Sequence, residues 1–338
     1  MNPRYRRLLI PGLLVALLAI VVVSSLARRA DGAQSGSVVV SHISDPRITE
    51  SSGLVVSSAD ADLAYTINDS GNAPVVFTVR VSTGAVVGTT TVSGGTWFDT
   101  EAMATGPDGT LWVADTGDND GNRSDAALYS LAQPTAGDRS VVARRYPITY
   151  PDGPENVEAL IINPSTGRKL LVSKGVFAGG VFALPDALST TTANRAKDLG
   201  VVVPALITDG AFANSGNHVV LRNYSTAYVY DTASWSSVDS EPMPDVEQGE
   251  TLAMEASGQA FLVGSEGTDS PLIRVPFEEP TSTSATSGTP TRAAPTPTAT
   301  SPTAPLPGGN GFAGATWFWA VGVMALLAGI SVAINRKN

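Results

Sequence analysis

Between residues 37 and 277 the chain alternates short runs of small and β-branched residues with tight polar turns, and nowhere in that stretch do apolar positions recur at helical spacing. Five times an acidic residue opens a small-and-apolar strand, a polar turn follows, and a second, more hydrophobic strand returns. The copies begin at Glu50-Ser-Ser-Gly-Leu-Val-Val, Glu101-Ala-Met-Ala, Glu158-Ala-Leu-Ile-Ile, Asp209-Gly-Ala-Phe and Glu250-Thr-Leu-Ala-Met. Their turns (Ser58-Ala-Asp-Ala, Gly106-Pro-Asp-Gly, Asn163-Pro-Ser-Thr-Gly, Asn214-Ser-Gly-Asn and Ala256-Ser-Gly) use the residues that reverse a chain. A third strand follows each hairpin, beginning at Val75, Ala127, Gly180, Ala227 and Pro271.

The copies start 51, 57, 51 and 41 residues apart, a spacing of strands without helices that predicts propeller blades. The expected fold is all-β, a five-bladed β-propeller. Six blades, with one degenerate copy, and a β-sandwich are the alternatives. Ser37-Val-Val-Val-Ser-His-Ile, ahead of the first copy, is expected to form the outer strand of the last blade, closing the ring and removing an open edge.

The flanks differ in kind. Arg4, Arg6 and Arg7 precede an apolar run from Leu8 to about Val23, the pattern of an export signal. Ser25-Leu26-Ala27 offers small residues to a signal peptidase; an uncleaved signal anchor is the other reading. From Phe312 to Ile334 run 23 uncharged residues, enough to cross a membrane, with Trp317 and Trp319 at one end and Arg336 and Lys337 at the other. Both basic ends are expected inside, which puts the propeller on the extracellular side of a single-pass C-terminal anchor. Leu306-Pro307-Gly308-Gly309-Asn310 resembles a sortase signal without its threonine, so a retained anchor is preferred to wall attachment. Residues 280–307 are almost all Pro, Thr, Ser, Ala and Gly; they cannot form a core and read as an extended stalk with a reach on the order of 80 Å. The expected order is signal and spacer (1–36), propeller (37–277), stalk (278–311), transmembrane helix (312–334) and cytoplasmic tail (335–338).

Composition narrows the chemistry. With no cysteine, thiol nucleophiles, thiolate metal sites and disulfides are excluded. Residues 37–277 hold 28 acidic and 13 basic side chains, an excess of 15 negative charges that disfavours nucleic acid as a partner. The only histidines are His42, in the closing strand, and His218, at the start of a second strand, so a Ser-His-Asp triad or a histidine-rich zinc site is not expected.

In a propeller the start of each inner strand and the end of the second strand emerge on one face. That rule pairs Glu50 with Asn68 and Asp69, Glu101 with Asp115, Glu158 with Lys174, Asp209 with Arg222, and Glu250 with Ser265 and Glu266. Together they form a candidate ligand-binding ring at one channel mouth. Glu158–Lys174 and Asp209–Arg222 read as ion pairs. Glu50/Asp69 and Glu101/Asp115 read as carboxylates without a cation, which raises a pKa or recruits a metal such as Ca2+. The plainer reading is that each acid caps the turn entering its strand. Thr116-Gly-Asp118-Asn-Asp120-Gly121 keeps part of a calcium-loop pattern but lacks its leading Asp and closing Glu, so Asp118 and Asp120 are metal candidates against a self-satisfied Asx turn.

Glu50-Ser-Ser-Gly, Asn68-Asp-Ser-Gly-Asn, Asp99-Thr-Glu-Ala, Ala114-Asp-Thr-Gly-Asp-Asn with Arg123, and Glu158-Ala-Leu together resemble an exported, membrane-anchored, WD40-like propeller family of high-GC Gram-positive bacteria. That family is distantly similar to phytase-like and esterase-like propellers. The resemblance spans roughly residues 45 to 275 and implies the fold and export, but no activity. The expected function is a binding or scaffolding module in the cell envelope, with an envelope protein or glycan as partner. The alternative is a metal-assisted hydrolase of phosphate or glycan esters.

Overall fold

The computed structural model describes residues 36–281, all of it strand, turn and loop. The expected export signal, most of the stalk and the membrane span lie outside the described residues. Among the described residues no helix is long and apolar enough to cross a membrane.

A strand β1 (Val38–Ile43) precedes five sheets. Blade 1 contains β2 (Ser51–Val56), β3 (Leu63–Asn68), β4 (Val75–Arg80) and β5 (Val86–Ser93). Blade 2 contains β6 (Thr100–Thr105), β7 (Thr110–Asp115) and β8 (Ala127–Ala132); after a short β9 (Arg139–Val142) its outer strand is β10 (Arg144–Thr149). Blade 3 contains β11 (Val157–Ile162), β12 (Lys169–Ser173) and β13 (Gly179–Ala183), then a two-residue β14 (Asn194–Arg195) and the outer β15 (Lys197–Val203). Blade 4 is β16 (Asp209–Phe212), β17 (His218–Arg222), β18 (Thr226–Asp231) and β19 (Ser237–Pro242). Blade 5 is β20 (Thr251–Met254), β21 (Ala260–Gly264) and β22 (Ser270–Pro276), completed by β1.

The ring has five blades, and the predicted closing strand is in place: β1 pairs antiparallel with β22 from Val38 opposite Arg274 to Ile43 opposite Ser270. Two edges gain a strand that the hairpin pattern did not predict. β9 lies parallel to β5 and β14 parallel to β10, so blades 1 and 2 are each laced to a segment of the next blade's connection.

Packing follows from the pleat. Successive side chains point to opposite faces of a blade, and each blade is covered on both faces by its neighbours. Val219 and Leu221 of β17 therefore pack toward blade 3 with Ile161 and Val172, while Val220 packs toward blade 5 with Leu252 and Val263. This two-sided burial explains the continuous apolar runs in the second strands. The described residues form five such clusters, one at each blade interface; the last joins Ile43 of β1, Leu262 and Leu272 to Leu54 and Phe77.

The inner strands β2, β6, β11, β16 and β20 touch one another in sequence around the channel. They start at one mouth, called here the near face, and end at the far face. There Leu54, Met103, Ile161, Phe212 and Met254, with the hairpin turns, line a cavity of about 380 Å³ of mixed polar and apolar character. The chain enters and leaves the propeller on the far face, where Gly36 abuts Pro276 and Glu279 accepts a hydrogen bond from Ser215 and contacts His218 Nδ1 at 2.7 Å. Both ends of the described segment thus lie away from the near mouth.

Candidate acidic site at the near channel mouth

All five strand-opening acids stand at the near-face ends of the inner strands, but they are not equivalent. In blades 2 and 3 the pairing of inner and second strands contains a bulge. Thr100 faces Asp115 and Ala102 faces Ala114, leaving Glu101 extra; Val157 faces Ser173 and Ala159 faces Val172, leaving Glu158 extra. A bulge re-aims the side chain it carries. Blade 1 has its irregularity between Ser51 and Leu54, so Ser52, not Glu50, is the counterpart of Glu101.

Glu50 is consequently exposed at the rim, where Asn72 donates to its Oε2 at 2.7 Å. Asn68 is structural: its Oδ1 accepts from Glu50 N at 3.3 Å and its Nδ2 donates to Arg47 O at 2.7 Å.

The counterpart of Glu50 in blade 2 is Asp99, a residue that the repeat alignment passed over. The signal for it is an acid followed by a hydroxyl residue: Glu50-Ser51, Asp99-Thr100 and Glu250-Thr251. Asp99 is 8% exposed and its Oδ1 has no hydrogen-bond partner. Glu101 is 3% exposed and takes one hydrogen bond, from Ser52 Oγ at 3.1 Å. Asp69 accepts from Ser70 N. One carboxylate oxygen from each of Asp69, Asp99 and Glu101 lies within 4.8 Å of the others. Burial, and after it the negative charge of Asp69, pushes the Asp99 carboxyl up to about 7. Burial, reinforced by Glu158, holds Glu101 well above the carboxylate range, and burial also raises Asp69.

Asp115 does not join them. Its Oδ1 accepts from Arg123 Nη2 at 2.9 Å, Asp99 N at 2.8 Å and Phe98 N at 3.2 Å, so it is a cation-paired anchor for the loop ahead of β6. The expectation of an unpaired Glu101/Asp115 couple is corrected: Arg123, eight residues downstream, returns its guanidinium to the strand end. Asp118 accepts from Asn122 N at 3.0 Å and Arg123 N at 2.9 Å, while Asp120 is exposed. This loop is the self-satisfied Asx turn, and neither acid reaches the Asp69–Asp99–Glu101 group.

Across the mouth, Glu158 accepts from Lys174 Nζ at 3.1 Å and from Asn156 Nδ2 at 3.0 Å, as the pairing rule anticipated. Burial nevertheless raises Glu158 to about 7 against the pull of Lys174. For Lys174 burial works downward, and Glu158 with Glu250 overcomes it, raising the ammonium. Gln248 Nε2 bridges Glu250 Oε1 and Glu266 Oε2, at 3.2 and 2.6 Å. Ser265 Oγ caps Gln248 N at 3.1 Å, and Glu266 is raised to about 7 by burial and then by Glu250.

The second expected ion pair is not made. Asp209 and Arg222 are register partners, but without a bulge Asp209 points between blades and accepts from Gly210 N at 2.8 Å and Leu252 N at 2.7 Å. Arg222, fully buried, donates to Thr251 O at 3.0 Å and Asn223 O at 3.2 Å. Burial lowers Arg222 to about 10 and raises Asp209.

Around this acidic floor stands an apolar rim. Of the ten large apolar side chains exposed among the described residues, six belong to near-face loops or strand ends: Phe98, Val176, Phe177, Val202, Leu206 and Tyr224. Phe98, 61% exposed, neighbours Asp99 and is held by the Arg123 guanidinium 5.1 Å from its ring centre. Tyr224 lies under the Lys174 ammonium at 5.4 Å.

No protein-family model and no curated protein matches the chain. Among solved structures it is similar to the hydrazine synthase of Kuenenia stuttgartiensis, at 15% identity and a TM-score of 0.38, over 64% of this chain and 56% of that one. It is also similar to a gluconolactonase of Xanthomonas campestris, at 10% identity and a TM-score of 0.43, over 64% and 69% of the two chains. The chain thus spans little more than half of the hydrazine synthase it matches, and the propeller fold rests on the strand pairing itself.

Proposed function

We propose that the protein is a ligand-binding propeller displayed in the cell envelope, with its ligand seated on the near mouth. The observation that carries this is the coincidence on one face, opposite the ends of the described segment, of a buried carboxylate floor and an exposed apolar rim. An apolar wall around a few convergent polar groups is the ordinary anatomy of a binding site. Display is supported by the basic and apolar segments at both ends of the sequence and by the resemblance to exported propellers.

Because the chain has no cysteine, Phe177→Cys, at a side chain 94% exposed, supplies a single thiol. A membrane-impermeant maleimide should label it on intact cells; labelling only after lysis would refute display. The detergent-solubilised full-length protein should cosediment with detergent-extracted, membrane-free cell-envelope material, and the double variant Val176→Ser, Phe177→Ser should lose that association. Undiminished cosedimentation would remove the rim from the site.

Metal-assisted hydrolysis is the second reading. The proximity to neutrality of Glu158 and Asp99 favours it, since groups that titrate near the working pH can exchange protons with a bound ester. Release of p-nitrophenol from p-nitrophenyl phosphate in the presence of Ca2+ or Mn2+, lost in Glu158→Gln, is its test.

A further inference from the structure

We infer that Asp69, Asp99 and Glu101 hold one hard divalent cation, such as Ca2+, at the near mouth. The inference deepens the binding-site reading above and rests on it for its use, since a cation there would present open coordination positions to a ligand's oxygens.

Three carboxylates converge here, with one hydrogen bond from Ser70 N, one from Ser52 Oγ and one between the Asp69 and Asp99 carboxyl groups. Asp99 Oδ1 is buried with no donor at all. Among the described residues no lysine or arginine reaches ion-pair distance of any of the three; Lys174 is engaged by Glu158 and Arg123 by Asp115 and Asp125. Glu250 also keeps a buried oxygen without a partner, but only Asp69, Asp99 and Glu101 bring three carboxylates together.

The backbone is cut to fit the convergence. A Cβ at Gly117 would stand 2.3 Å from Glu101 Oε1 and 2.5 Å from Asp99 Oδ2. Glycine at this position lets both carboxylates lie against the loop after β7, where a larger side chain would push them away.

Three carboxylate oxygens within 4.8 Å of one another are close enough to share one cation. With no cysteine in the chain, and His42 and His218 on outer-blade and far-face positions, an all-oxygen site selects a hard cation over zinc.

The test uses the full-length chain in detergent micelles after chelator treatment, titrated calorimetrically with CaCl2 alone and followed by thermal unfolding. Ca2+ should bind with one-to-one stoichiometry, and at a hundredfold excess over Kd it should raise the midpoint by several degrees. Asp99→Asn and Glu101→Gln should each weaken Ca2+ at least tenfold, while Asp120→Asn, in the neighbouring Asx turn, should leave the affinity unchanged. Absence of a saturable Ca2+ isotherm in the wild-type protein overturns the site even if the variants misfold. Loss of binding in Asp120→Asn with retention in Glu101→Gln would overturn the site and move it to the loop. These outcomes are independent of the envelope assays, so either reading can fail without the other.

Discussion

Replacing Arg123 by methionine tests the correction that the structure makes to the acidic mouth. The guanidinium side chain is 8% exposed and its partner Asp115 2% exposed, so methionine keeps the length and apolar stem but strands a buried carboxylate. Breaking a buried pair from one side costs roughly 3–5 kcal/mol. Asp115 keeps two backbone N–H donors, which places this pair near the lower end, at about 3 kcal/mol. The lost hydrogen bond to Gly117 O, 2.6 Å long, adds about 1 kcal/mol. The cation–π contact with Phe98 adds roughly 0.5 kcal/mol at so exposed a ring. The pair with Asp125, whose side chain is 63% exposed, adds little. The expected loss is about 4.5 kcal/mol, which lowers the midpoint of a domain this size by roughly 9–18 °C. Urea unfolding followed by fluorescence of Trp97, packed on Tyr129 between blades 1 and 2, reads it out. Asp115→Asn in the same background should recover part of the loss, with a coupling of at least about 1 kcal/mol in the double-mutant cycle. A cost below about 1 kcal/mol with no coupling would refute the reasoning and return Asp115 to the unpaired carboxylates.

Without divalent ions, stability should decline as pH rises from about 4 through 7. Asp99, Glu158 and Glu266 keep their protons to about 7 in the folded protein but ionise near 4 when unfolded, so the folded state binds more protons throughout that window. Glu101→Gln should flatten the decline, and a midpoint that climbs steadily to pH 8 in chelator would contradict the assignment. Gly84→Ala should cost at least about 2 kcal/mol in chemical denaturation: its φ is +71° and a Cβ would stand 1.8 Å from His42 O, pushing against the closing strand; wild-type stability would refute this. Deleting residues 37–43 should bare the edge of β22 and give soluble aggregates by light scattering, whereas a monodisperse, fully stable product would show that closure by β1 is dispensable.

The sequence by itself determined the ring. Five hairpins were legible because their turns carry Gly, Asn, Asp and Pro at chain reversals and because strands buried on both faces are apolar at every position, as in Val219-Val-Leu. The closing strand was legible because a ring without it would leave an edge. The outer strands were not: β19 reads Ser-Val-Asp-Ser-Glu-Pro and is exposed at nearly every residue, so no apolar period marks it, and the parallel lacing by β9 and β14 is a contact between blades. At the site, sequence placed Glu101 and Glu158 at one mouth and paired Glu158 with Lys174. Tertiary structure decided the rest. Two bulges turn Glu101 and Glu158 toward the channel, while the unbulged register of blade 4 turns Asp209 away from Arg222. Asp99 joins the group because Gly117 makes room for it, and Asp115 leaves it because a loop folds Arg123 back. Strand order follows from local turn chemistry and burial, which a chain carries residue by residue. The direction of a carboxylate at a strand end depends on bulges, loop paths and neighbouring backbones that exist only once the blades are packed.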